Sequence, residues 1–151
     1  MSEKKLNNLK NTKRNEHCLI YYKNREAKDL RKVTEFLNSK SIQYKLFEYG
    51  KYSNKELKKE ARKSKFCVML NGTESQGIAV QEILAMNLPM YTWDLPTDKL
   101  NRFASSAPYF DSRCGIITNN YEEFINNFEI FIAKLSTFKP SKLIVDKLSF
   151  E

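Results

Sequence analysis

Residues 66–90 of the chain, FCVMLNGTESQGIAVQEILAMNLPM, contain a strand pattern followed directly by a helix pattern. The stretch opens with a continuous apolar run, 66–70, which is typical of a strand buried on both faces of a sheet. Beyond Gly72 and Gly77, apolar residues surround Glu82 as they do on a helix, and another apolar run begins at Leu88. A strand joined to the next strand through a helix is the repeating unit of a parallel sheet.

The same alternation runs along most of the chain. Short, largely apolar segments predict strands at 17–22, 42–47, 66–70, 88–93 and 114–118, and helical spacing or capping signals predict helices at 26–39, 54–63, 121–135 and 140–149. Ser53 and Asn120 are the predicted caps of the helices at 54–63 and 121–135. The predicted apolar stripe of the helix at 121–135 consists of Tyr121, Phe124, Ile125, Phe128, Ile132 and Leu135. Residues 94–113 form the one long connection in this prediction. Five strands that alternate with helices over short connections indicate an α/β fold, a Rossmann-like, doubly wound parallel sheet in three layers.

The chain of 151 residues carries a formal charge of +8, and half of this excess lies in residues 1–15. We interpret 1–15 as a basic, solvated tail and 16–151 as a single domain. The tail could also attract an anionic membrane or nucleic acid, in either case without specificity. No secretory signal or membrane-spanning run is evident, and three widely spaced cysteines in apolar runs predict buried, reduced thiols. These features favour a cytoplasmic protein, with peripheral membrane contact as an option.

Ligands of an open α/β sheet bind beyond the carboxyl ends of its strands. Three cations, Lys23, Arg25 and Lys28, follow the first predicted strand and could hold a diphosphate. After the third strand, Thr73 and Gln76 can form a capping box that starts a helix near Glu74. The first helical turn then exposes N–H groups to a phosphate, and those groups belong to Ser75, Gln76, Gly77 and Ile78.

Glu82 lies one helical turn beyond this start, where a carboxylate can accept hydrogen bonds from the two hydroxyl groups of a ribose. Each of these residues also has a structural explanation. Glu74 could simply complement the helix dipole, Glu82 could face solvent, and Gly77 could serve close packing alone. The residues by themselves leave both interpretations open.

The pattern from Glu74-Ser-Gln-Gly77 to Glu82, followed by AMNLPM, resembles the donor-binding motif of retaining GT-B glycosyltransferases. The resemblance extends over residues 17–150 and corresponds to the carboxyl-terminal, Rossmann-like half of such an enzyme. It implies that Lys23 and Lys28 hold the diphosphate of a nucleotide sugar and that Glu82 binds the ribose. It further implies that Glu74 faces the donor sugar as the catalytic residue, without a metal.

The sequence departs from the family pattern at several points. Lys23 stands where an arginine is usual, which makes Arg25 a rival for the same role, and Asn87 stands where the helix usually ends in glycine. The acceptor-binding half is not found in this sequence. We therefore expect a donor-binding domain, inactive alone, that works with an acceptor-binding domain or subunit in polysaccharide or glycan synthesis. The alternatives are a non-catalytic, regulatory nucleotide-sugar-binding subunit and a small basic nucleic-acid-binding protein.

Overall fold

The computed structural model describes residues 17–72, 78–94 and 113–140 of the chain. These residues form five strands and four α-helices: β1 (Cys18–Lys23), α1 (Ala27–Ser39), β2 (Tyr44–Glu48), α2 (Asn54–Lys63), β3 (Cys67–Asn71), α3 (Ile78–Ala85), β4 (Met90–Trp93), β5 (Gly115–Thr118) and α4 (Tyr121–Ala133). The predicted basic tail 1–15, most of the predicted connection 94–113 and nearly all of the predicted final helix 140–149 lie outside the described residues.

The five strands form one parallel sheet in the order β2-β1-β3-β4-β5. The chain moves outward from β1 to β2 on one side, and then returns to place β3, β4 and β5 on the other side. The strand order therefore reverses between β1 and β3, which is where ligands bind in open sheets of this kind. The predicted α/β fold with a doubly wound, Rossmann-like parallel sheet is confirmed.

Helices cover both faces of the sheet, and each face has its own apolar core. On one face α1 and α4 pack against the strands, with Val33 and Phe128 among the buried residues. On the other face α2 and α3 do so, through residues such as Leu57 and Ile83. Burial on both faces explains why β1 and β3 consist of nearly continuous apolar residues. Within the described ranges, no helix combines the length and apolar character that crossing a membrane requires.

Local signals set the ends of three helices. Ser53 accepts a hydrogen bond from the backbone N–H of Glu56 at 3.2 Å, and Asn120 accepts one from the N–H of Glu123 at 2.8 Å, so both predicted caps are confirmed. Asn87 has a φ of 61°, the left-handed conformation that ends a helix. Asparagine tolerates this conformation better than most residues, which explains its use after α3.

The buried face of α4 differs from the predicted one. The predicted stripe included Ile125, but Ile125 is 39% exposed and Phe131 is fully buried in its place. Most residues of this helix are apolar, so several stripes satisfy helical spacing. Aromatic packing selects the face, because Phe131 lies 5.4 Å from Phe66 and 4.8 Å from Tyr91 between ring centroids.

The three cysteines, Cys18, Cys67 and Cys114, are all buried and form no disulfide with one another, as predicted. Burial raises the pKa of the Cys18 thiol to about 12, because the thiolate would lose its hydration in the apolar core. The pKa of the neighbouring Cys67 is also raised by burial. The native state therefore favours the protonated thiols of Cys18 and Cys67.

We expect Phe128→Ala to lower the free energy of unfolding by about 3–5 kcal/mol, because it removes a fully buried ring from the aromatic core and leaves a cavity. Urea denaturation measures this loss. Ile130→Ala, on the 48% exposed side of the same helix, is the control and should change stability by less than about 0.5 kcal/mol. Equal effects of the two substitutions would contradict this view of α4.

The raised pKa of Cys18 also makes stability depend on pH. The unfolded thiol loses its proton near its ordinary pKa of 9.0, whereas the folded thiol keeps it up to about 12. Stability is therefore complete below pH 9 and falls as the pH rises toward 12. Between about pH 8 and pH 10.5 the wild type should lose roughly 2 kcal/mol more than Cys18→Ala does. Urea denaturation measures the free energy of unfolding of both proteins across this pH range. An equal decrease in the two proteins would refute the role of Cys18.

Candidate functional site

The carboxyl ends of β1 and β3 meet at the point where the strand order reverses. Lys23, the last residue of β1, lies directly opposite Asn71, the last residue of β3. The next residue, Gly72, donates its backbone N–H to the carbonyl of Lys23 at 2.8 Å. This bond holds the end of β1 against the start of the segment that leads to α3. The predicted cation Lys23 and the Asn71-Gly72 turn thus lie at the same edge of the sheet.

Gly72 allows the two chain segments to approach each other closely. A Cβ atom at this position would lie 2.1 Å from the backbone oxygen of Asn24, far inside van der Waals contact. Asn24 itself has a φ of 52°, which lets the chain turn sharply after β1. Only glycine therefore fits at position 72, a requirement that the sequence indicates through a glycine directly after a buried strand.

Arg25 is buried beneath this edge rather than exposed above it. Its side chain is 1% exposed, and its Nε donates to the Asp29 carboxylate at 2.7 Å. Its Nη1 donates to the backbone oxygens of Asn71 at 3.0 Å and Trp93 at 2.6 Å. The guanidinium also lies over the Trp93 ring, 4.6 Å from its centroid. One side chain therefore joins the ends of β1, β3 and β4.

These contacts make Arg25 a structural tie, by which we mean a side chain that holds the ends of β1, β3 and β4 together. Nη2 is the only side-chain nitrogen of Arg25 without a hydrogen-bond partner among the described residues. The role predicted for Arg25 as a donor-binding cation stays a prediction, and it could act only through this buried atom. The network could not be predicted from the sequence, because Trp93 is 68 positions away from Arg25 in the chain.

The other two predicted cations differ in their surroundings. Lys23 is half-buried, with its Nζ 4.2 Å from the centroid of the Tyr49 ring. Lys28 lies near the start of α1 with a 66% exposed side chain, paired with Glu26 at 3.2 Å. Lys23 therefore belongs to the sheet edge itself, whereas Lys28 is held at the surface of the helix.

The predicted residues of the glutamate motif are only partly described. Thr73, Glu74, Ser75, Gln76 and Gly77 lie outside the described residues. The described helix α3 begins at Ile78. Glu82 is partly buried in the middle of α3, while the neighbouring Ile83 and Leu84 pack fully into the core. Glu82 is therefore neither a core residue nor a fully exposed one.

A groove opens beside Lys23, between the ends of β1 and β2. Its volume is about 300 Å³, and it is lined by Tyr22, Lys23, Asn24, Arg25, Glu48 and Tyr49. The groove combines an aromatic ring, an ammonium group and a carboxylate at the edge where ligands of this fold bind. Glu48 and Tyr49 were not predicted as site residues, although both directly follow the predicted strand 42–47, a position where functional residues often lie.

The amino-acid sequence matches no known protein-family model, and a search of curated proteins also finds no match. The resemblance to GT-B glycosyltransferases therefore remains a prediction from the motif residues. The Rossmann-like fold is confirmed, and the geometry at the carboxyl edge of its sheet is the basis for a functional proposal.

Arg25→Ala should lower the free energy of unfolding by about 3–5 kcal/mol, because it leaves the Asp29 carboxylate and two backbone oxygens without their buried partner. Arg25→Lys keeps the charge but cannot reproduce the planar set of donors, so an intermediate loss is expected. Lys28→Ala removes an exposed ion pair and is the control, with an effect below about 0.5 kcal/mol in the same urea titration. If Arg25→Ala unfolded at the same urea concentration as the wild type, Arg25 would not be a structural tie between the strand ends.

Proposed function

We propose that this chain is the donor-binding domain of a glycosyltransferase, which binds a nucleotide-diphosphate sugar for transfer to an acceptor held by a second domain or subunit. The observation that carries the proposal is the meeting of Lys23 with the Asn71-Gly72 turn at the point of strand reversal. Open α/β sheets bind nucleotides there. The glutamate motif begins immediately after that turn in the sequence.

In this proposal the diphosphate lies against Lys23 and the amino-terminal end of α3. A lysine ammonium supplies a point charge for phosphate oxygens, and backbone N–H groups at a helix start add hydrogen-bond donors. The residues proposed to contribute there are Thr73, Ser75, Gln76, Gly77 and Ile78. Lys28 is a further candidate, since its exposed side chain can move to a bound anion. Together these groups would stabilise the nucleoside diphosphate as it leaves.

Two glutamates take separate roles in the proposal. Glu82 accepts hydrogen bonds from the ribose hydroxyls, which gives a reason for a partly buried carboxylate on a largely apolar helix. Glu74 faces the donor sugar and acts at the reacting centre, as the resemblance to retaining enzymes implies. The same proposal assigns the protein to the cytoplasm, where nucleotide sugars would be its substrates. The basic tail would contact an anionic membrane surface.

Glu82→Gln should weaken the binding of a nucleoside diphosphate by about tenfold or more, because an amide oxygen replaces a charged acceptor of two hydroxyl groups. Isothermal titration calorimetry with UDP, GDP and ADP, and with their sugars, measures the affinity. The thermal midpoint of the variant should stay close to that of the wild type, since Glu82 is not part of the apolar core.

Glu122→Gln is the matched control, because it makes the same charge change on an exposed first turn of α4. It should bind like the wild type. Equal affinities of Glu82→Gln and the wild type would eliminate the ribose role. A wild-type chain that binds none of these nucleotides would eliminate the donor-binding function itself.

A further inference from the structure

A tight turn after β2 presents the side chain of Tyr49. The N–H of Lys51 donates to the carbonyl of Glu48 at 3.0 Å, and Gly50 has a φ of 85°. These are the features of a type II turn, which requires a positive φ at its third residue and therefore favours glycine there. Tyr49 occupies the second position, and its N–H donates to the carbonyl of Tyr22 at 2.9 Å. Its backbone is thus fixed to the end of β1.

The ring of Tyr49 is largely exposed at a place where the backbone is well anchored. The residue is 58% exposed, the highest value among the exposed large hydrophobic residues in the described part of the chain. The ammonium group of Lys23 lies 4.2 Å from its ring centroid. An exposed aromatic ring contributes little to the core, whereas such a ring on a fixed backbone and beside a cation offers a surface on which a planar group can stack.

The groove beside this ring supplies the remaining groups that a nucleoside needs. Glu48 lines it, and the Glu48 carboxylate pairs with the Lys51 ammonium at 2.7 Å. A carboxylate accepts hydrogen bonds from the N–H groups of a base or from ribose hydroxyls. The groove has about 300 Å³, the lower end of the range for small-molecule sites.

We propose that the nucleobase of the donor binds in this groove and stacks on the ring of Tyr49. This inference rests on the proposed function, because it assigns the base to one end of the same ligand. Lys23 lies between the two parts of the site: its side chain contacts the Tyr49 ring, and its backbone oxygen accepts from Gly72. In this proposal the phosphates of the nucleotide extend from the Tyr49 ring toward the Lys23 ammonium and the Asn71-Gly72 turn.

Stacking recognises any base through its π-face, so it supplies affinity without strict base selection. The carboxylate of Glu48 can add selectivity, since bases differ in the N–H groups that they offer. A ligand without a base gains nothing from either residue. Base-dependent affinity is therefore the property that distinguishes this site from a simple phosphate-binding edge.

The experiment is calorimetric titration of the full 151-residue chain with GDP, UDP and ADP, and with inorganic pyrophosphate as the probe that lacks a nucleoside. Tyr49→Ala should bind the three nucleotides about tenfold more weakly than the wild type and should bind pyrophosphate equally well. Tyr49→Phe keeps the ring and should keep the nucleotide affinity. Leu46→Ala, which removes a 43% exposed side chain from the same edge strand, is the matched control and should bind like the wild type.

Each outcome decides a separate point. Nucleotide binding by the wild type that is unchanged in Tyr49→Ala overturns the stacking role and leaves the donor-binding function in place. A parallel loss of pyrophosphate and nucleotide affinity in Tyr49→Ala also overturns it, since Tyr49 would then act only by positioning Lys23. Failure of the wild type to bind any of the nucleotides overturns both proposals. Thermal unfolding of each variant establishes that the proteins compared are folded.

Discussion

The buried guanidinium of Arg25 is the interaction on which the carboxyl edge of this sheet depends. Parallel strands end in backbone oxygens with no further strand residue to bond, and Arg25 donates to two of these, on Asn71 and Trp93. Its charge is compensated by Asp29 one helical turn away, and its flat face lies over the Trp93 ring. Three neighbouring strand ends are thereby held in one arrangement, which gives any ligand at this edge a rigid support.

The same edge separates a structural cation from a cation that faces the groove. Arg25 and Lys23 are two positions apart, yet the side chain of Arg25 is almost completely buried and Lys23 is only half-buried. Lys23 lies against the ring of Tyr49 and lines the groove. The buried cation holds the strand ends, whereas Lys23 is the cation that a ligand in the groove would meet under the proposed function. This division explains why several basic residues in close succession after β1 need not share one function.

The fold was predictable to a large extent, and the site much less so. Short, largely apolar segments indicated all five strands, and side-chain caps such as Ser53 and Asn120 marked helix starts, because both signals are local. The buried face of α4 was not predictable: Ile125 and Phe131 both fit helical spacing, and only the rings of Phe66 and Tyr91 distinguish them. At the site, the sequence indicated the sheet edge and its cations, but it did not indicate the Arg25 network or the turn that carries Tyr49.

By itself, then, the sequence determined the alternation of strands and helices, the ends of several helices and the edge of the sheet where polar residues gather. Hydrophobic periodicity and capping act over a few neighbouring residues, so they can be inferred without knowledge of the rest of the chain. The tertiary structure alone decided that Arg25 is a tie, that Lys23 meets Tyr49 and that a groove lies beside them. These depend on contacts between residues far apart in the chain, and only strand pairing across the sheet brings such residues together.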